Sequence, residues 1–118
     1  MDRRIELVIS KIENDPGACQ FSKLAALVNL SPSRLRHLFK QETGLTPSRY
    51  LKESRLRKAE VLLRTSFLTI KEIVNQVGLT SGGHFVREFR KIYAQSPTTY
   101  RKRNGVTKNK SQNKRSER

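Results

Sequence analysis

The chain has 118 residues and a mass of 13.6 kDa, which is the size of one ordinary domain, able to bury a modest core without metals or disulfides and leaving no room for a second large one. Lys and Arg number 25 against 10 Asp and Glu, a net charge of +15 with a pI near 10.8, and such an excess repels the compact state unless a partner neutralises it, so the expected partner is a polyanion. The single cysteine, Cys19, excludes an intrachain disulfide and gives no sign of an oxidising compartment, while no apolar run approaches the ~20 residues needed to span a bilayer.

Taken in chain order, Ile5, Val8, Ile9 and Ile12 fall on one face of a first helix, which Asp15-Pro16-Gly17 stops. Leu24, Ala25, Leu27 and Val28 give a short second helix ending at Asn29, a residue that tolerates the left-handed conformation. Ser31-Pro32 is an N-cap followed by proline at the first helical position, opening a third helix whose inward residues are Leu35, Leu38 and Phe39 and which ends at Gly44. Thr46-Pro47 repeats that signal and opens the longest helix, running through Tyr50, Leu51, Leu56, Ala59, Leu62 and Leu63 to about Thr65. Thr69 and Glu72 stand at capping-box spacing ahead of Ile70, Ile73, Val74 and Val77, a fifth helix closed by Gly78. Ser81 caps a sixth helix with Phe85, Phe89 and Ile92 inward, and Ser96-Pro97 opens a seventh through Tyr100. With no strand signal, the expected fold is all α. Residues 101–118 carry eight Lys and Arg against one Glu, leaving +8 on residues 1–100, and the segment after Tyr100 is expected to be disordered in isolation.

The two halves echo each other. Phe39-Lys40 matches Phe89-Arg90, Thr46-Pro47 matches Ser96-Pro97 and Tyr50 matches Tyr100, each 50 residues apart, whereas Leu24 with Ile73 and Val28 with Val77 are 49 apart. One residue has therefore slipped in, in the turn or early third helix of a half, where length varies without disturbing packed helices. The chain reads as two copies of helix, turn, helix: a first unit over about 5–45, a linker helix over about 47–65, a second unit over about 69–103, and a basic tail over 104–118.

In such a motif the second helix enters the DNA major groove, with polar outward residues facing base edges. Opposite Leu35, Leu38 and Phe39 lie Ser33, Arg36, His37 and Lys40, with Arg36 the first choice for a base contact. The equivalent face of the second copy offers Gly82, Gly83, Val86, Arg87 and Arg90, which is poorer in base-reading side chains. Lys40, Arg34, Arg90 and the cap serines Ser31 and Ser81 are the expected phosphate-facing residues. At ~1.5 Å per residue the linker helix is long enough to hold the motifs apart, and successive major grooves on one face of B-DNA lie ~34 Å apart.

The run Ile73-Val74-Asn75-Gln76-Val77-Gly78-Leu79, His84-Phe85-Val86-Arg87-Glu88-Phe89-Arg90-Lys91 and Ser96-Pro97-Thr98-Thr99-Tyr100-Arg101 resembles the signature of the AraC/XylS family of bacterial transcription regulators. The resemblance covers about residues 5–103. It implies seven helices in two helix-turn-helix subdomains joined by the long fourth helix, binding DNA as a monomer or within a dimer. It also implies that Ser33, Arg36 and His37 face bases from the first recognition helix and Gly82, Gly83 and Arg87 from the second. Three positions depart from the family pattern: Leu79 for Phe, Ala94 for the Gly at a helix end, and Gly82-Gly83 at the start of the second recognition helix, where each glycine weakens the turn by up to ~1 kcal/mol and offers no side chain to a base.

Enzyme chemistry finds no footing. His37, His84 and Cys19 make no zinc-ligand cluster, and no catalytic triad, phosphate loop or paired carboxylates are found, so neither metal nor cofactor is expected. Cys19 is expected as a small buried hydrophobe and His84 in a packing role. The expectation is a sequence-specific regulator of transcription, an activator by resemblance. It inserts two recognition helices into adjacent major grooves of double-stranded DNA, with RNA polymerase a further candidate partner, as a monomer or weak dimer in the cytoplasm at the nucleoid. Met1-Asp2-Arg3-Arg4 leads straight into the first helix, so no signal peptide is expected, and no small-molecule effector is evident. The alternative is a sequence-blind architectural protein of nucleic acids.

Overall fold

The computed structural model describes residues 1–105. Among them the backbone forms seven α-helices and a 3-10 turn, with no strand. The helices are α1 (Arg3–Asn14), α2 (Phe21–Leu27), α3 (Pro32–Thr43), α4 (Pro47–Thr65), α5 (Ile70–Gln76), α6 (Gly82–Tyr93) and α7 (Pro97–Asn104), and the 3-10 turn is Pro16–Ala18. Two compact units divide the chain, Met1–Arg57 and the part from Lys58 onward. The division falls within α4, so this helix contributes to both units, with Leu51 buried in one and Leu63 in the other.

The helix starts follow from local chemistry. The Ser31 hydroxyl accepts from the Arg34 N–H at 3.1 Å, the Ser81 hydroxyl from His84 at 3.2 Å and the Ser96 hydroxyl from Thr99 at 3.2 Å. Thr69 and Glu72 satisfy each other's backbone N–H at 3.1 and 2.8 Å, the reciprocal capping box.

In the first unit, Ile5, Val8 and Ile12 of α1 pack with Leu24, Ala25, Leu35, Phe39 and Leu51. Tyr50 sets its ring edge-on to Phe39, with centroids 5.4 Å apart, and donates its hydroxyl to Glu13 at 2.5 Å. Burial, together with that carboxylate, pushes the Tyr50 phenol up to about 12. Arg55 donates to the carbonyls of Pro16 and Cys19 at 3.0 and 2.9 Å, pinning the 3-10 turn. Cys19 is half-buried beside the core, and burial raises its thiol, as expected for a packing cysteine.

In the second unit the Phe89 ring lies 5.6 Å from Phe85, 4.4 Å from Tyr93 and 5.3 Å from Tyr100. Glu60 joins α4 to α7 by accepting from Tyr100 and Arg64; burial pushes its carboxyl up, but these two donors outweigh it and hold it below the usual range.

Both interhelical turns start alike. Asn29 and Gly78, 49 residues apart, each take positive φ, and Leu30 and Leu79 donate back to Ala25 and Val74 at 3.0 Å. The N-caps Ser31 and Ser81 already stand 50 apart, so the extra residue is Thr80 in the second turn and the third helix of each unit is untouched.

Three expectations need correction. Leu27 and Ile92, read as inward, are 46% and 54% exposed; their repeat counterparts, Gln76 and Glu42, are polar. The segment after Tyr100 is not disordered from its first residue. α7 continues to Asn104, and Arg101 donates to the carbonyls of Leu63 and Ser66 at 3.2 and 3.4 Å, so carbonyl acceptors left at the end of α4 extend the helix beyond the apolar signal. The remainder of that expectation, over 106–118, lies outside the described residues. His84, assigned a packing role, is exposed, because the helix turns that position away from Phe85.

Ala94 caps α6 with φ 61° and ψ 17°, the left-handed conformation that Gly44, its counterpart, adopts at the end of α3 with φ 83°. An L side chain there costs roughly 1–2 kcal/mol, part of which glycine returns through a looser unfolded chain. Ala94→Gly is therefore expected to raise stability by up to ~1 kcal/mol and Gly44→Ala to lower it by ~1 kcal/mol, both read from urea midpoints. A destabilised Ala94→Gly protein would show that strain is absent at this cap.

Candidate nucleic-acid interface

The face of α3 opposite its core residues is open to solvent. Leu35 and Phe39 are fully buried, while Ser33, Arg34, Arg36, His37 and Lys40 are exposed. Ser33, Arg36, His37 and Lys40 line one shallow hollow, joined by Gln41 and by Thr46, the residue before α4. Gln41 stands four residues after His37, a helical spacing from which it was legible in the sequence; Thr46 lies beyond the helix end and was not. The hollow holds two fixed positive charges, hydroxyl and amide groups and an imidazole, a set able to donate to base acceptors and to phosphate oxygens.

Arg36 is braced. Its guanidinium carbon lies 5.5 Å from the centroid of the Phe21 ring on α2. Ser31, expected at phosphate, is exposed, with its hydroxyl already accepting from Arg34.

On α6, Gly82, Gly83, Arg87 and Arg90 are exposed and Val86 is half-buried, so the outward face is narrower than its sequence suggests. Ser81 is exposed and caps the helix. Neither glycine is required by the fold: both are helical, and an added Cβ would meet nothing within 4 Å at Gly82 and only Arg87 and the Ser81 hydroxyl, at 3.9 Å, at Gly83. Their cost to the helix is thus not repaid by packing in the free protein.

Among the described residues no group of three or more His, Cys, Asp or Glu is placed to hold a metal, and no helix is long and apolar enough to cross a membrane.

A family profile described as "Helix-turn-helix domain" matches residues 24–103. The HTH-type transcriptional activator RhaS of Escherichia coli (strain SE11) is 34% identical over 99 residues, which is 83% of this chain and 36% of that protein. An AraC-type transcriptional regulator structure from Chromobacterium violaceum superposes with a TM-score of 0.76 at 30% identity, covering 86% of this chain and 92% of that one. The chain belongs to the AraC/XylS family.

The DNA-binding domain of AdpA, solved in complex with a target DNA, matches with a TM-score of 0.74 and 27% identity over 87% of this chain and 93% of that one. The chain spans about a third of the length of the curated AraC/XylS relatives it matches. Of the family positions where it departs from the pattern, Leu79 is half-buried with its N–H bonded in the turn, Ala94 accepts the left-handed cap and Gly82-Gly83 opens α6 without a steric demand.

Proposed function

We propose that this chain binds double-stranded DNA sequence-specifically and regulates transcription, with α3 and α6 entering adjacent major grooves. In this reading Ser33, Arg36 and His37 read bases from α3, with Arg87 and the backbone at Gly82-Gly83 facing bases from α6. Arg34, Lys40, Arg90, Ser31 and Ser81 lie towards phosphates. The observation that carries it is the exposed polar face of a serine-capped, core-anchored α3, on a chain of net charge +15. The AdpA domain, solved in complex with a target DNA, supports DNA as the partner. Because α6 offers bases little beyond Arg87, the second unit anchors more than it specifies. Activation follows the named role of the RhaS relative; we add RNA polymerase as a second partner and place the protein in the cytoplasm at the nucleoid, as a monomer or weak dimer without catalytic activity.

Selection of bound sequences from a random duplex pool at stated salt tests this. A site with one strongly specified and one weakly specified half, about one helical turn apart, is expected. Inserting five base pairs between the halves, about half a turn, is expected to reduce affinity to that of the stronger half alone. Enrichment of no sequence would leave the architectural alternative.

A further inference from the structure

The Phe21–Arg36 contact is absent from the other half of the repeat. Position 21 corresponds to Ile70 and position 36 to Val86, both half-buried, so the second unit places two aliphatic side chains where the first has an aromatic ring and a cation. Phe21 is half-buried against the first core, which fixes its ring, and Arg36 is exposed. The 5.5 Å separation lies inside the ~6 Å range of a cation–π contact.

The manner of holding matters chemically. A carboxylate partner would accept hydrogen bonds from a guanidinium, whereas an aromatic ring holds the cation without a carboxylate acceptor and so leaves its N–H groups available to fork onto two acceptors of a base. Among the described residues no carboxylate is paired with Arg36. The contact therefore removes rotamer freedom from a long side chain without pairing it to a carboxylate, lowering the entropy lost when a base is contacted.

We infer that Phe21 is a positioning residue: its ring holds the Arg36 guanidinium ready for a base edge and so sets the specificity of the first unit. This rests on Arg36 reading a base, as proposed above.

The test compares Phe21→Leu, Phe21→Met, Phe21→Tyr, Arg36→Ala and the double variant Phe21→Leu/Arg36→Ala. Each is titrated against the selected duplex and against one altered at the Arg36-dependent base pair. Phe21→Leu and Phe21→Met, which keep apolar bulk without a ring, are expected to lose about two- to five-fold in affinity on the selected duplex and nothing on the altered one. Phe21→Tyr, which keeps the ring, is expected to retain full affinity, and Phe21→Leu is expected to have no effect once Arg36 is alanine. In the free protein, the Arg36 side-chain N–H resonance is expected to lose its ring-current shift in Phe21→Leu and Phe21→Met and to keep it in Phe21→Tyr. Equal losses on both duplexes, or a loss that persists without Arg36, would overturn the positioning role and leave Phe21 a packing residue. If Arg36→Ala itself fails to distinguish the duplexes, the base-reading assignment falls, while the resonance shift still reports whether the ring holds the guanidinium.

Discussion

Phe89→Ala is expected to cost the second unit about 3–5 kcal/mol, the usual range for emptying a buried phenylalanine site. Phe89 is fully buried and touches three aromatic rings with centroid separations of 4.4 to 5.6 Å. These rings come from α6 and α7, so the cavity would open where those helices meet. Folded domains hold only ~0.05–0.15 kcal/mol per residue, so a unit this small has little more stability than the loss itself. The variant should therefore unfold its second unit in urea well before the wild type, followed by circular dichroism, and bind DNA with what α3 alone supplies. Phe89→Leu keeps most of the volume and should cost less than half as much, since it forfeits mainly the aromatic contacts. A Phe89→Ala midpoint within ~1 kcal/mol of wild type would show that neighbouring rings collapse into the space, and that the cluster is not what holds α6 in place.

Arg36→Ala is expected to cost about 1–3 kcal/mol on the selected duplex and to relax specificity at one base step. The reason is geometric: a guanidinium offers two parallel donors to paired acceptors, and losing it leaves those acceptors without a match. Lys40→Ala, one helical turn further along α3, is the contrasting case. A point charge directed to phosphate carries no sequence information, so affinity should fall alike on all duplexes, with the slope of log affinity against log salt shallower by about 1. Titrations at several salt concentrations against selected and random duplexes separate the two. Equal losses for Arg36→Ala on both kinds of DNA would remove the base-reading role from Arg36.

Under the proposed DNA-binding reading the halves of the repeat divide labour through composition. Ser33, Arg36 and His37 are the α3 side chains assigned to bases, whereas Gly83, Val86 and Arg87 stand in the same places on α6. The glycines lower the helix propensity of its first turn while leaving its backbone N–H groups accessible, which suits close approach to phosphate better than recognition of a base.

Helix existence, order and starts were legible in the residues alone because they depend on chemistry within one turn. A serine before a proline caps α3 and α7, Thr69 and Glu72 close on each other across three residues, and Asn29 takes the positive φ its side chain tolerates. The repeat was legible too, and its polar counterparts Gln76 and Glu42 already marked Leu27 and Ile92 as solvent positions. Only tertiary structure decided that Arg36 rests on Phe21, that Glu60 gathers Tyr100 and Arg64, that Arg55 holds the 3-10 turn and that Arg101 carries α7 past its apolar signal. Except for the Glu60–Arg64 pair within α4, these contacts join residues from 15 to 40 positions apart. Helical periodicity carries a face and not a partner, so which ring meets which cation is settled only when the helices pack.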